Sequence, residues 1–184
     1  MKGQFKLCIN ETAVDYNGPE KVEIAKIVDS TAKKDAMYIV YERDLWKRWG
    51  YHTCIEEYER DGEDYPVAVI DDLHRPCLYD HPEIFLTIML HELGHYRNGD
   101  LSAFDEEEVS NEKIKDIRAE AILHGKVQMQ ELRADAFAVQ HVGKNTFMRT
   151  MDYMINKRRQ RSDTGMELAI KEFELRKKAI QNMK

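Results

Sequence analysis

The 184-residue chain carries only three cysteines, Cys8, Cys54 and Cys77, an odd number with no Cys-x-x-Cys pair. That scarcity excludes a disulfide scaffold, argues against a thiolate zinc finger, and leaves three thiols expected to be reduced and buried. Long apolar runs are also missing. The longest, Ile84 to Leu90, has seven residues and includes Thr87, far short of the ~18 needed to span a bilayer. The N-terminus, Met1-Lys2-Gly3-Gln4-Phe5-Lys6, lacks the apolar middle of a secretory signal, so a cytoplasmic location is expected. Nor is there a surplus of basic charge. With 34 Asp and Glu against 28 Lys and Arg the net charge is -6, which disfavours nonspecific binding to nucleic acid or an anionic membrane. The one basic run, Lys157-Arg158-Arg159-Gln160-Arg161, has no aromatic interleaving and is expected to be a solvated helix end. No internal repeat, low-complexity stretch or long linker divides the chain.

What is present suits one soluble domain: 42% of the residues are apolar, enough for one sizeable core. In the first half, residues 4–9, 37–41, 51–60 and 65–70 are expected as strands, the last entered through an edge proline, Pro66, after an Asp61-Gly62 turn. Gly18-Pro19 is expected to open a helix with a stripe at Val22, Ala25, Ile27, Val28 and Ala32. Asp44 can cap a short helix carrying Trp46 and Trp49.

From Pro82 onward the pattern is helical. A first helix, capped by Asp80 or His81, runs to an Asn98-Gly99 stop with Ile84, Phe85, Ile88, Met89 and Leu93 as its apolar set. After the acidic run 105–108, read as a loop, a helical stretch begins at Ser110 or Asn111 and ends at Gly143, with a break near Gly125. Two more helices cover 145–157 and 164–182, the latter opening with a Thr164-x-x-Glu167 capping box. Its buried face is expected to be Met166, Ile170, Phe173 and Ile180. The fold class is therefore α+β, a small N-terminal sheet packed on a mainly helical half.

The chemistry concentrates in His91-Glu92-Leu93-Gly94-His95. Residues four apart on a helix lie one above the other, so His91 and His95 can present imidazoles to one metal ion while Glu92 points about 100° around. A carboxylate there is placed to take a proton from an activated water. Gly94 lies inside the helix, where glycine costs up to about 1 kcal/mol relative to alanine, a sign that another segment packs closely.

A catalytic zinc needs a third protein ligand. A glycine stop followed by a third ligand three residues later fails on register: Asn98 and Leu101 hold those positions, with Gly99 and Asp100 each one residue out. The better candidate is Glu131-Leu132-Arg133-Ala134-Asp135, whose two carboxylates share a helix face. One can reach the metal while the other accepts a hydrogen bond from a ligand imidazole, and Ala134 and Ala138 allow close helix approach.

These two motifs resemble the gluzincin clan of zinc metallopeptidases. The Glu-x-x-x-Asp motif is similar to that of the CAAX-prenyl-protease and HtpX-like branch. His-Glu-x-Gly-His with Glu-x-x-Ala is similar to the ImmA/IrrE-like branch of small cytoplasmic proteins. The first is usually membrane-embedded, and this chain has no span; the second often has Asn where Asp135 stands and is linked to cleavage of phage or stress-response repressors. The motifs cover about ten residues, and the region before Asp80 carries no resemblance. The resemblance implies a zincin-like metallopeptidase domain over 1–184 that cleaves a protein or peptide substrate with Zn2+. It assigns His91, His95 and Glu131 as ligands, Glu92 as the catalytic base and Asp135 as the residue that orients a ligand. The alternative is a catalytically silent module of the same fold that binds a protein partner or senses metal. Hydrolysis also needs a donor for the developing oxyanion. His124, His141, Tyr153 and Arg133 are available, and none is singled out. His52, His74 and His81 are read as structural, Tyr96 as a packing residue, and Met89, Met129 and Met151 as core.

Overall fold

A computed structural model describes residues 3–15, 21–43, 45, 53–60, 62–100, 111–160 and 166–183. Five strands, β1 (Phe5–Asp15), β2 (Lys21–Asp29), β3 (Lys34–Glu42), β4 (Thr53–Arg60) and β5 (Glu63–Ile70), precede six helices among the described residues. These are α1 (Arg75–Asp80), α2 (Pro82–Arg97), α3 (Asn111–Leu123), α4 (Met129–Val142), α5 (Lys144–Arg159) and α6 (Met166–Asn182). The class is α+β. The sheet is mixed, in the order β1-β2-β3-β5-β4, with β3 and β5 parallel and the other pairs antiparallel.

Residues expected as a helix after Gly18-Pro19 form β2 instead; the two opening residues lie outside the described set. The reason lies in the register. Val22 faces Tyr41 and Ala25 faces Ile39, leaving Ile24 as an extra residue at an irregularity in the ladder. Such a bulge gives a strand a three-residue step between side chains on one face, which mimics helical spacing. Ala25, Ile27, Met37, Ile39, Ala68 and Ile70 are all buried and join the helices in one core. The opposite face carries a smaller cluster of Tyr38, Val40, Leu45, Val67 and Val69.

Pro66 does not mark an edge. It lies in β5 between β3 and β4, one residue before pairing with β3 begins at Val67, so its missing N–H takes no bond from that ladder. The strand at the edge next to β5 is β4. Cys77 is the one buried thiol; Cys54 is half-buried, and Cys8 is exposed because it alternates with Phe5 and Leu7 onto the face away from the helices.

The helical half keeps its expected boundaries closely, with α1 as an addition. Gly99, Gly125 and Gly143 adopt φ of 72°, 73° and 86° at the three breaks, a conformation that glycine enters without a Cβ penalty. His81 stands at the start of α2 but makes no side-chain cap there. Met89 and Met151 are core, whereas Met129, on the first turn of α4, is exposed. Asp44, Trp46, Trp49, Asp61, the 105–108 run, Ser110 and Thr164 lie outside the described residues. No helix of the described residues is long and apolar enough to cross a membrane.

Candidate metal centre

Helix α2 is buried nearly all round, with Phe85, Met89, Leu90 and Leu93 in the core, so its one polar stripe is fixed in direction. That stripe faces α4. The close approach is possible because a Cβ on Gly94 would lie 2.9 Å from Ala134 Cα and 3.1 Å from Ala134 O. Backbone atoms cannot yield as a side-chain tip can, so we expect Gly94→Ala to destabilise the fold by about 1–3 kcal/mol, despite alanine's better helix propensity. Urea unfolding measures it, and an unchanged or raised midpoint would contradict the close packing.

The approach brings ligand atoms of His91, His95 and Glu131 within 4.8 Å of one another. His91 Nε2 is 3.1 Å from His95 Nε2 and 3.4 Å from Glu131 Oε2. Two donors each about 2.0–2.1 Å from a tetrahedral ion lie about 3.3–3.4 Å apart, so these two spacings are close to those around a zinc-sized ion, while the third, His95 Nε2 to Glu131 Oε1, is wider at 3.9 Å. The other ring nitrogens are committed. His91 Nδ1 is 2.9 Å from Asp135 Oδ1, and His95 Nδ1 is 2.9 Å from Asp100 Oδ2. Ionised carboxylates only accept hydrogen bonds, so both imidazoles donate from Nδ1 and turn Nε2 inward. Two facing acceptor nitrogens repel unless a cation, a proton or a metal, lies between them.

Asp135 thus accepts from the His91 imidazole on the side away from the other donors. Asp100, set aside as a third ligand on spacing grounds, does the same for His95 and is itself held by Arg133 at 2.7 Å. His141 packs between Phe5 and Phe137, and Tyr153 against His81; both belong to the core beyond α2. His74 is buried with Nδ1 2.9 Å from Thr53 Oγ1, a structural role as expected; His52 lies outside the described residues.

Two arginines complete the cluster, and neither is singled out by the sequence. Arg176 of α6 is buried; it donates from Nε to Asp135 Oδ2 at 2.8 Å and pairs through Nη1 with Glu131 Oε2 at 2.9 Å. Its Nη2 lies 3.1 and 3.3 Å from the two nitrogens of His91. Arg118 of α3 lies 3.1 Å from Glu131 Oε1 and 2.8 Å from Glu172 Oε1. The expected apolar face of α6 is thus corrected: its buried residues are Glu172, Arg176 and Ile180. A signal was there, since a Glu and an Arg stand eight and four residues before Ile180, in line with it.

Burial favours a neutral carboxyl at Glu131, but Arg176, His91 and Arg118 outweigh it and hold its pKa well below the ordinary value. Asp135 is lowered in the same way, with burial opposed by Arg176 and His91. At His91, burial and Arg176 oppose protonation, yet Asp135 and Glu131 overcome both and push the imidazole up to about 9. An ion entering this donor set displaces that proton.

Glu92 is half-buried, and no hydrogen bond or ion pair joins it to another described residue. Its charge is felt on β4: the Cys54 thiol is pushed up to about 12 by burial first and then by Glu56 and Glu92. One turn further on, Tyr96 donates from its hydroxyl to Glu57 of β4 at 3.1 Å. The Glu92 face of α2 therefore looks onto the edge strand. No family model, curated protein or solved structure matches the chain.

Proposed function

We propose that the chain is a zinc-dependent endopeptidase of the gluzincin type, with His91, His95 and Glu131 as the ligands. The observation that carries this reading is the donor set itself: two inward Nε2 atoms, each fixed by a carboxylate on Nδ1, beside a buried ionised glutamate. Two imidazoles and a carboxylate suit zinc among the common divalent ions. Zinc in such a set supplies Lewis acidity and a water of lowered pKa. Glu92 takes the proton of the attacking water and passes it to the departing nitrogen, a role suited to a carboxylate that no described residue engages. The edge of β4 that no described strand pairs offers backbone N–H and C=O groups to an extended peptide, laying it along the Glu92 face of α2.

A silent module that binds a partner or senses metal is the second reading. It is favoured by Arg176 and Arg118, which already neutralise Glu131 within the polypeptide. Elemental analysis of protein purified without added metal, beside a Glu131→Ala variant, tests the site. About one zinc per wild-type chain, lost in the variant, is expected. Wild-type protein that takes up no zinc even on reconstitution overturns the peptidase reading.

A further inference from the structure

We propose that Arg118 is the residue that receives the negative charge developing on the substrate carbonyl, an inference that rests on the peptidase reading. Of the two arginines at the ligand group, Arg176 is spent: its side chain is 6% exposed and Asp135, Glu131 and the His91 ring surround its guanidinium. Arg118 has 38% of its side chain exposed and still touches ligand carboxylate Oε1 at 3.1 Å. Its Nε and Nη2 are engaged by Glu172 and Glu131, while Nη1 meets no described residue. A fixed cation with one N–H pair that no described residue engages, at the solvent side of the donors, is the arrangement that stabilises an oxyanion without reorganising.

Glu131 and Glu172 keep the guanidinium charged and in place. Burial works against its charge, but Glu131 and Glu172 more than compensate. In the step itself, the water oxygen bonds to the carbonyl carbon, its proton goes to Glu92, and the π pair moves onto the carbonyl oxygen. There it accepts a hydrogen bond from Arg118 Nη1. When the C–N bond breaks, the pair returns to carbon and oxygen, and the leaving nitrogen takes the proton held by Glu92.

The test compares zinc-loaded wild-type protein with Arg118→Met and Arg118→Lys, probed by calorimetric titration with inorganic phosphate, a tetrahedral anion, and by hydrolysis of denatured casein. Zinc content is measured on each sample. The expected result for Arg118→Met is one zinc retained, phosphate binding at least tenfold weaker, and kcat lowered by about 10²–10³ with KM changed less than threefold. Arg118→Lys should recover part of both losses, since it keeps a cation without the fork. Phosphate binding within threefold of wild type at equal zinc content overturns the assignment. So does a loss in both variants that follows loss of zinc, because that marks a purely structural role. Wild-type protein that binds no zinc overturns the parent reading and this one with it, a result separable from the others by the zinc analysis alone.

Discussion

Glu92→Gln is expected to keep its zinc and lose turnover by about 10²–10⁴ or more. The amide preserves the size and hydrogen-bonding reach of the side chain but cannot accept the proton of the attacking water. Because Glu92 has no hydrogen bond or ion pair with another described residue, the substitution breaks no polar contact among the described residues, and melting temperature should be unchanged. The ligands stay as they are, since His91 and His95 take their orientation from Asp135 and Asp100. Measuring zinc content, melting temperature and peptide hydrolysis on one preparation separates the base from the ligands. Wild-type turnover in a fully metallated Glu92→Gln protein would falsify the role. No turnover in either protein at full zinc loading would instead favour the silent module, whose site has no use for a base.

Arg176→Met is expected to destabilise the protein, measured in chelator by denaturant unfolding, by about 3–5 kcal/mol, as when one partner of a buried ion pair is removed. The methionine fills much of the volume, so the loss is electrostatic. Among the described residues Asp135, fully buried, would keep only His91, and Glu131 would lose its 2.9 Å partner. Zinc should reduce the penalty, because an ion bound by Glu131 restores a positive charge to the cluster and stabilises by binding the folded state alone. Arg176→Lys should lie between, since an ammonium cannot bridge Glu131 and Asp135 in one planar fork. A loss below about 1 kcal/mol in Arg176→Met, with zinc affinity intact, would show that the arginine does not hold the donors together.

These expectations draw on different layers of information. The helix carrying His91, Glu92 and His95 is legible because everything that defines it is local. Its apolar set, its Asn98-Gly99 stop and the four-residue step between the imidazoles all lie within one stretch of chain. The same holds for Glu131 and Asp135 on α4. Gly94 was legible as a point of close approach, though not what approaches it. Where two periodicities overlap, local reading failed: the bulge at Ile24 gave β2 the spacing of a helix, and only pairing with β1 and β3 makes a strand of it.

By itself the sequence determined that there is one motif helix, that a second acidic helix follows, and which side chains on each share a face. Helical geometry repeats every few residues and needs no partner to define a face. The tertiary structure decided the rest. It put Asp100 rather than a more distant carboxylate behind His95, turned Arg176 inward across 41 residues to Asp135 and 85 residues to His91, and left Arg118 at the rim. Periodicity is silent on such contacts, because packing of one helix against another fixes which charges meet and how deeply each is buried. In a charged cluster that depth sets which carboxylates stay ionised and which cation remains free to act.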